Sequence, residues 1–190
     1  MFGTAKRLAE HYHRENGHYL IELRLSEMRR LFNSFDPAPF LEKDLDSEAE
    51  DYIVDTVKDF RPDACLKLVI YLPVEQCGGE QGQVLPEAIH HYFDYRAQHM
   101  AMKFRFMLLQ GRASLLIGLL FLFGCIAARE ALPNLGAWTG IVDEGLLICG
   151  WVAMWRPIQI YLYDWWPIRR MQRVYEKIRD MPMEVRSMGE

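Results

Sequence analysis

The sequence lacks the short motifs that mark the common catalytic and cofactor-binding sites. It contains no G-x-S-x-G, H-E-x-x-H, Walker or dinucleotide-binding pattern. Its four cysteines include no C-x-x-C pair, so their spacing predicts neither a zinc site nor a disulfide framework. These absences predict a protein that is not an enzyme and that carries no cofactor.

An excess of positive charge is also missing. The chain has 22 Lys and Arg against 26 Asp and Glu, a net charge of -4, which argues against a nucleic-acid partner. The first sixteen residues, MFGTAKRLAEHYHREN, hold no apolar run of the kind found in a cleaved signal peptide. Any membrane segment is therefore expected to be internal.

A long uncharged segment is present at residues 113–128, ASLLIGLLFLFGCIAA. Sixteen helical residues measure about 24 Å, somewhat less than the roughly 30 Å of a hydrocarbon core. Arg112 and Arg129 bracket the segment and can extend their charged groups toward the headgroups. The pattern predicts a first transmembrane helix.

A second apolar segment begins at Gly145 and is interrupted by Arg156-Pro157 before it continues as IQIYLYDWWP. Proline removes a backbone donor and clashes with the preceding turn, so a kink is expected there. The tryptophans and tyrosines of the second half are typical of a membrane interface. Residues 113–166 are thus predicted to form a transmembrane hairpin with an external loop at 129–144.

Three polar groups are predicted to lie within or beside this membrane segment: Arg156, Glu144 and Asp164. Arg156 has two interpretations. It is either an interfacial anchor that extends toward the headgroups, or a deeper group paired with Asp164, Gln159 or the carbonyls freed by Pro157.

Loop charge predicts the orientation of the hairpin. Lys and Arg are concentrated on cytoplasmic loops, and the connecting segment holds only Arg129 among basic residues. Both chain termini are therefore predicted to face the cytoplasm. The basic flanks comprise Arg96, Lys103, Arg105 and Arg112 before the first span, and Arg169, Arg170, Arg173, Lys177 and Arg179 after the second.

Small residues recur every four positions on both predicted spans. Such stripes let helix backbones approach closely in lipid. They serve either the contact between the two spans or a contact between subunits. The stripes comprise Ser114 and Gly118 on the first span, and Gly145, Cys149 and Ala153 on the second.

The polar part of the chain predicts an α+β domain at 1–85. Residues 18–25 and 65–72 alternate with the period of half-buried strands. Between them, Ser26 is expected to begin a short helix, and Ser47 with Glu50 matches a capping box that opens a second helix. Two strands rarely make a stable sheet. The N-terminal segment and residues 83–85, or another subunit, are expected to complete it, and a homo-oligomer is predicted.

Two helices are expected to flank the hairpin on its cytoplasmic side. Residues 86–112 predict a long juxtamembrane helix that follows a glycine-rich connection at 73–85. Residues 167–190 predict a basic C-terminal helix, which would contact anionic lipid headgroups.

An acidic stretch is the most distinctive soluble feature, with ten Asp and Glu and three Lys and Arg in residues 36–63. Asp44, Asp46 and Glu48 alternate as in a calcium loop, but the glycine that such a loop needs is missing. The stretch predicts a proline-ordered loop before a helix N-terminus, or an acidic surface for a cationic partner. That surface comprises Asp36, Glu42, Asp44 and Asp46.

The juxtamembrane helix carries a group of histidines with one aspartate. A metal site is one interpretation of this group, and unconnected polar side chains on an exposed helix are the other. The group comprises His90, His91, Asp94 and His99.

Two stretches, IELRLSEMRRLFNSFDPAPFLEKDLDSEAEDYIV and GLLICGWVAMWRPIQIYLYDWWPIRR, resemble a family of small bacterial two-span inner-membrane proteins. Together they cover about a third of the chain. The resemblance implies a bacterial membrane protein with a cytoplasmic domain, and it implies no activity.

The sequence therefore predicts a non-enzymatic inner-membrane scaffold or accessory subunit that self-associates and docks a partner through its cytoplasmic domain. Two alternatives stay open. One is a homo-oligomeric ion channel or transport component lined by polar groups of the hairpin, and the other is a metal-dependent membrane-bound enzyme.

Overall fold

A computed structural model of the chain describes residues 12–131 and 139–188. The described chain is a mixed α+β protein with a small sheet and two helices long and apolar enough to span a membrane, which confirms the α+β part of the predicted fold class. It divides into two compact units. The sheet unit comprises the residues up to Gln98 and from Gln172 onward, and the helical unit comprises His99–Met171.

The sheet has four strands in the order β1-β2-β3-β4. β1 and β2 are antiparallel, whereas β2, β3 and β4 are parallel to one another. The strands comprise β1 (Arg14–Glu15), β2 (His18–Arg24), β3 (Leu66–Leu72) and β4 (Met183–Ser187).

Asn16 and Gly17 connect β1 to β2, with φ angles of 49° and 84°. A two-residue hairpin needs positive φ at both central positions, and Asn-Gly is the dipeptide that adopts them most readily. β2 then pairs in parallel with β3, with Ile21 opposite Leu68. This pairing places the two strands predicted by alternation at the centre of the sheet.

The connection from β2 to β3 contains helix α1 (Ser47–Asp59). Its N-cap is Asp46, whose side chain accepts a hydrogen bond from the Glu48 amide. The capping box predicted for Ser47 and Glu50 is therefore wrong, because the cap lies one residue earlier. The short helix expected from Ser26 is a single 3₁₀ turn, Met28–Leu31.

The core of the sheet unit is built on β3, where Leu68, Val69 and Ile70 have no exposed surface. A parallel strand covered on both faces reads as a continuous apolar run, and the LVI run of β3 has that character. Ile53 of α1 and Phe93 of the following long helix are also fully buried.

The remaining elements are helical until the last strand. α2 (Val74–Cys77) is a single turn, and α3 (Glu80–Ala131) has 52 residues, or about 78 Å of helix. α4 (Thr139–Gln159) is followed by a π-helical turn at Ile160–Asp164 and by α5 (Trp165–Asp180).

Three boundaries differ from the sequence prediction. α3 begins at Glu80 instead of at Pro86, so residues 83–85 are helical and do not complete the sheet. The C-terminal helix ends at Asp180, and β4 follows it to supply the missing strand. Residues 129–131 and 139–144 of the predicted external loop are helical, and its PNLG turn lies outside the described residues.

Candidate functional site

The acidic segment forms a loop closed at its base. Residues 33–44 leave and re-enter the sheet unit at an antiparallel bridge between Phe32 and Leu45. The Asn33 amide donates to the Asp44 carbonyl over 2.9 Å, and the Asp46 amide donates to the Leu31 carbonyl over 2.9 Å. A compact surface loop whose ends meet in this way is an Ω-loop, a type that often carries function. We call residues 33–44 the acidic loop.

Asp36 organises the interior of the acidic loop. Its carboxylate accepts the Asp44 amide over 2.6 Å and the Ala38 amide over 2.9 Å. These backbone donors, that of Asp44 first, hold the pKa of Asp36 below its ordinary value. The carboxylate is therefore ionised at neutral pH, and it fixes the shape of the loop.

The four predicted acidic surface residues thus divide into two pairs. Asp36 and Asp46 hold the backbone, the first within the loop and the second at the start of α1. Glu42 and Asp44 have exposed side chains. The loop also carries Phe35, the residue before Asp36, whose surface is 92% exposed. The same loop therefore presents one exposed aromatic ring and two exposed carboxylates.

A buried ionic cluster lies elsewhere in the sheet unit. The Glu50 carboxylate of α1 accepts hydrogen bonds from Tyr92 Oη (2.7 Å) and Tyr175 Oη (2.8 Å). Arg96 Nη2 lies 2.7 Å from Glu50 Oε1 and also donates to Tyr175 Oη over 2.9 Å. Helices α1, α3 and α5 each contribute to these contacts. We call these four residues the Glu50 cluster.

Protonation in the Glu50 cluster follows from burial. Burial, together with the hydrogen bond to Glu50, raises the pKa of Tyr92 well above its ordinary value. Burial is also the main cause of the raised pKa of Tyr175. Both phenols stay protonated at neutral pH and act as donors. The Arg96 guanidinium lies over both rings, 5.8 and 5.3 Å from their centroids, and its buried Nε has no partner among the described residues.

The Glu50 cluster was missed by sequence reasoning. Glu50 matched a capping box, which assigned it a local role, whereas its partners lie 42 and 125 residues further along the chain. The available signal was the position of Glu50 on the apolar side of α1, three residues before the buried Ile53.

The predicted histidine group does not converge. His90 Nε2 contacts the Met181 carbonyl oxygen at 3.1 Å, and Asp94 accepts hydrogen bonds from Gln98 and Arg179. His91 is exposed, and His99 belongs to the helical unit. Across residues 12–131 and 139–188, no three His, Cys, Asp or Glu side chains are placed to hold a metal ion.

Within the helical unit, glycines mark the contact between α3 and α4. A methyl group on Gly118 would lie 2.9 Å from the Ala153 carbonyl oxygen, and one on Gly150 would lie 2.7 Å from Leu122 Cδ1. Two residues of the predicted small-residue stripes, Gly118 and Ala153, therefore meet directly. Because Pro157 has no amide hydrogen, the Ala153 carbonyl lacks its usual helical donor, and Gly118 lies against it.

The other stripe residues lie differently. A methyl group on Gly145 would meet no atom within 4 Å, and Cys149 is exposed. Ser114 is half-buried. Gly150, the residue after Cys149 and not a member of the predicted stripe, is the buried small residue of α4. A role for Gly145 and Cys149 between subunits stays a prediction.

Arg156 pairs with Asp164 in the helical unit, with Nη1 3.0 Å from Oδ2. Residues eight apart on an α-helix are separated by about 80° around the axis. The π-helical turn at Ile160–Asp164 is wider and rotates less per residue, which aligns the two side chains. Their side chains are 53% and 30% exposed within the chain.

The third predicted polar group, Glu144, is exposed near the start of α4. Its neighbour Asp143 forms an ion pair with Arg129 of α3 over 2.9 Å. This pair joins the two helices on either side of the undescribed residues 132–138.

No family model, characterised protein or solved structure matches this chain. The family resemblance noted from the sequence therefore stays a prediction, and the function rests on the geometry.

Proposed function

We propose that this protein is a two-span inner-membrane scaffold or accessory subunit that docks a partner through the acidic loop of a cytoplasmic sheet unit. The observation that carries the proposal is the acidic loop itself. Its backbone is held closed by hydrogen bonds, and it presents Phe35 with 92% of its surface exposed. The proposal has a membrane part and a docking part.

The membrane part is supported by where the apolar side chains point. In the most apolar 18-residue window of each long helix, only 17% of the residues are buried. A core helix of a soluble protein would be mostly buried, whereas Leu116, Ile117 and Leu120 are more than 60% exposed. Exposed apolar side chains are stable when lipid surrounds them.

The orientation is supported by charge and aromatic residues. Basic residues precede α3's apolar section and follow the π-helical turn, and Trp165 and Trp166 lie where an interfacial belt is expected. Both termini then face the cytoplasm. Reporter fusions after Met188 and at the external connection test this orientation, because they should report opposite compartments. The same compartment for both would reject the hairpin.

The docking part is supported by the chemistry of the acidic loop. Exposed aromatic rings often act as anchors at protein interfaces, and a preformed loop loses little conformational entropy on binding. Glu42 and Asp44 favour a basic partner surface and would mainly increase the rate of encounter. The proposed partner is a protein whose apolar pocket has a basic rim.

The docking part is tested by site-specific photo-crosslinking in native host cells. A benzoylphenylalanine at Phe35 should give a discrete adduct, and the same group at Val74, which is 67% exposed in the same unit, should not. Asp44→Lys should lower the yield of the adduct, because it reverses an exposed charge of the same loop. Equal yields at both positions, or no change with Asp44→Lys, would reject the acidic loop as the docking site.

Self-association is a further part of the proposal. Gly145 and Cys149 lie on a part of α4 that is open within one chain, and small residues permit close helix contacts in lipid. The mass of the particle in nanodiscs tests this part. A single-chain mass would reject it.

One observation favours the alternative of a channel or transport component. The Arg156–Asp164 pair places two charged groups within a largely apolar unit, and ionisable groups at membrane depth often mark ion pathways. Ion flux through liposomes containing the purified chain tests this alternative. Flux that disappears in Arg156→Leu would favour it over the scaffold.

A further inference from the structure

A groove of about 610 Å³ runs along one side of α3 in the helical unit. Its α3 residues recur every three or four positions from His99 to Gln110, so it extends for about 16 Å along the helix. Its other wall comes from the end of the π-helical turn and from α5. The lining residues that matter here are His99, Met102, Lys103, Phe106, Asp164 and Ile168.

The groove lies at the level of the aromatic belt. Gly111 packs against Ile160 and Tyr161, because a methyl group on Gly111 would lie 2.9 Å from Ile160 Cγ2. The two helices run in opposite directions. Met107 lies about one turn before Gly111 on α3, and Trp165 lies about one turn after Ile160 and Tyr161 at the start of α5. Because the helices are antiparallel, Met107 and Trp165 lie at about the same level. Exposed tryptophans favour the headgroup layer of a bilayer.

The groove is amphipathic along its length. Phe106 and Met102 are exposed within it, by 71% and 57%. Lys103 lies about one turn from Met107 on the side away from the span, and His99 lies one turn beyond Lys103. Apolar surface at the belt and a cation one turn outside it match the acyl chain and the phosphate of a phospholipid.

Charge in the groove favours an anionic ligand. The carboxylate of Asp164 is paired with Arg156 at 3.0 Å, so its negative charge is compensated. Lys103 has no carboxylate partner among the described residues. A basic side chain near the membrane surface attracts anionic lipid, and at this position the attraction is directed into an apolar groove.

We propose that this groove binds one anionic phospholipid of the cytoplasmic leaflet. Lys103 contacts the phosphate, and the first part of an acyl chain lies along Phe106 and Met107, on the span side of Lys103. The inference rests on the membrane location proposed above. It adds a defined lipid site to the general attraction between the basic flanks and the bilayer.

The test compares two variants that each remove one positive charge. Lys103→Gln changes the groove, whereas Arg105→Gln changes an exposed residue about 200° around the same helix and outside the groove. Native mass spectrometry of the full chain measures binding of phosphatidylglycerol and of phosphatidylcholine. Lys103→Gln should weaken phosphatidylglycerol binding about fivefold, and Arg105→Gln should leave it within about twofold.

Three outcomes overturn the lipid site: an equal loss in both variants, no loss in Lys103→Gln, or equal binding of the two lipids by the unmodified chain. Thermal unfolding of both variants in the same detergent shows whether each is folded. Met102→Glu gives a second groove variant, because it places a negative charge beside Lys103 that should repel the anionic phosphate. Failure of the membrane location is distinguishable, because the chain would then be recovered in solution without detergent.

Discussion

The sheet unit and the helical unit distribute the same kinds of side chain in opposite ways. In the sheet unit, Ile21, Leu68 and Phe93 are fully buried, and most charges are on the surface. In the helical unit, large apolar side chains such as Ile117 point outward, and glycines such as Gly118 occupy the contact between helices. Water drives apolar groups inward, whereas in lipid close packing of small residues holds helices together.

The largest test of this comparison is removal of the charge in the Glu50 cluster. Glu50→Gln leaves Arg96 as a partly buried cation without its anion. Removing one partner of a fully buried ion pair lowers the unfolding free energy by about 3–5 kcal/mol. We expect a loss at the lower end of this range, because the Arg96 side chain is 31% exposed. Hydrogen exchange in α1 and β3 measures it.

Asp51→Asn is the matched control for Glu50→Gln, because Asp51 is the next residue of α1 and is exposed. Asp51→Asn should change the unfolding free energy measured by exchange by less than about 0.5 kcal/mol, as is usual for surface substitutions. A similar effect for both variants would contradict the role assigned to the cluster. Exchange in the helical unit should stay the same in both.

The second test addresses packing in the helical unit. Gly118→Ala places a methyl group 2.9 Å from the Ala153 carbonyl and 3.2 Å from Met154 Sδ. Because the carbonyl belongs to the backbone, the helices must separate, and we expect a loss of about 1–3 kcal/mol. Thermal unfolding in one detergent measures the change. Gly145→Ala is the control, since its methyl group would meet no atom of the same chain.

Substitutions at Gly145 and Cys149 separate contacts within a chain from contacts between chains. Gly145→Leu and Cys149→Leu should leave a monomer unchanged, because both positions are open in one copy. A lower particle mass in these variants would therefore assign their face to a subunit contact. Unchanged mass and unchanged thermal stability would show that this face meets only lipid.

The strands β2 and β3 could be predicted because alternation of side chains is a local pattern, as in Tyr19, Ile21 and Leu23. β4 could not. Its five residues carry Glu184 and Arg186, and no apolar run marks them as a strand. Its pairing with β3 is decided by contacts more than 110 residues apart, which no local window contains.

In the candidate site, the acidic loop was recognisable from its composition, whereas the Glu50 cluster depends on three helices meeting. The pair of Arg156 with Asp164 was one of the alternatives left open by the sequence. Its alignment requires the π-helical turn, and the residues that surround Pro157 do not specify such a turn. Likewise, the rotation that buries Gly150 instead of Cys149 is set by packing against Leu122.

The third test concerns the Arg156–Asp164 pair. A double-mutant cycle with Arg156→Leu and Asp164→Asn should give a coupling of about 1 kcal/mol, as is usual for polar contacts in membrane proteins. Unfolding in a fixed detergent measures it. Additive effects would show that the pair contributes nothing and that Arg156 is an interfacial anchor.

Arg156→Lys refines this test. The guanidinium contacts Asp164 through Nη1 alone, so a lysine ammonium should keep part of the coupling despite lacking the planar fork. Full loss of the coupling in Arg156→Lys would indicate that the remaining guanidinium donors also have partners.

The smallest expected effect is the acid sensitivity of the sheet edge. Hydrogen bonds from Arg186 and Lys67 lower the pKa of Glu184 from 4.5 to about 2. A lowered pKa in the folded state contributes stability that is present above about pH 4.5 and is lost as the pH falls toward 2. Glu184→Gln should therefore narrow the difference between stability at pH 5 and at pH 2.

Acid unfolding of the sheet unit, followed by near-ultraviolet circular dichroism of its tyrosines, measures this difference. The shift should be small because the Glu184 side chain is 40% exposed and solvent screens its ion pairs. Glu87→Gln, an exposed change on α3, is the control and should leave the pH profile unchanged. If Glu184→Gln gives the same profile as the unmodified chain, β4 is held by its backbone pairing to β3 and by its side-chain packing, and the ion pairs at the edge contribute nothing measurable.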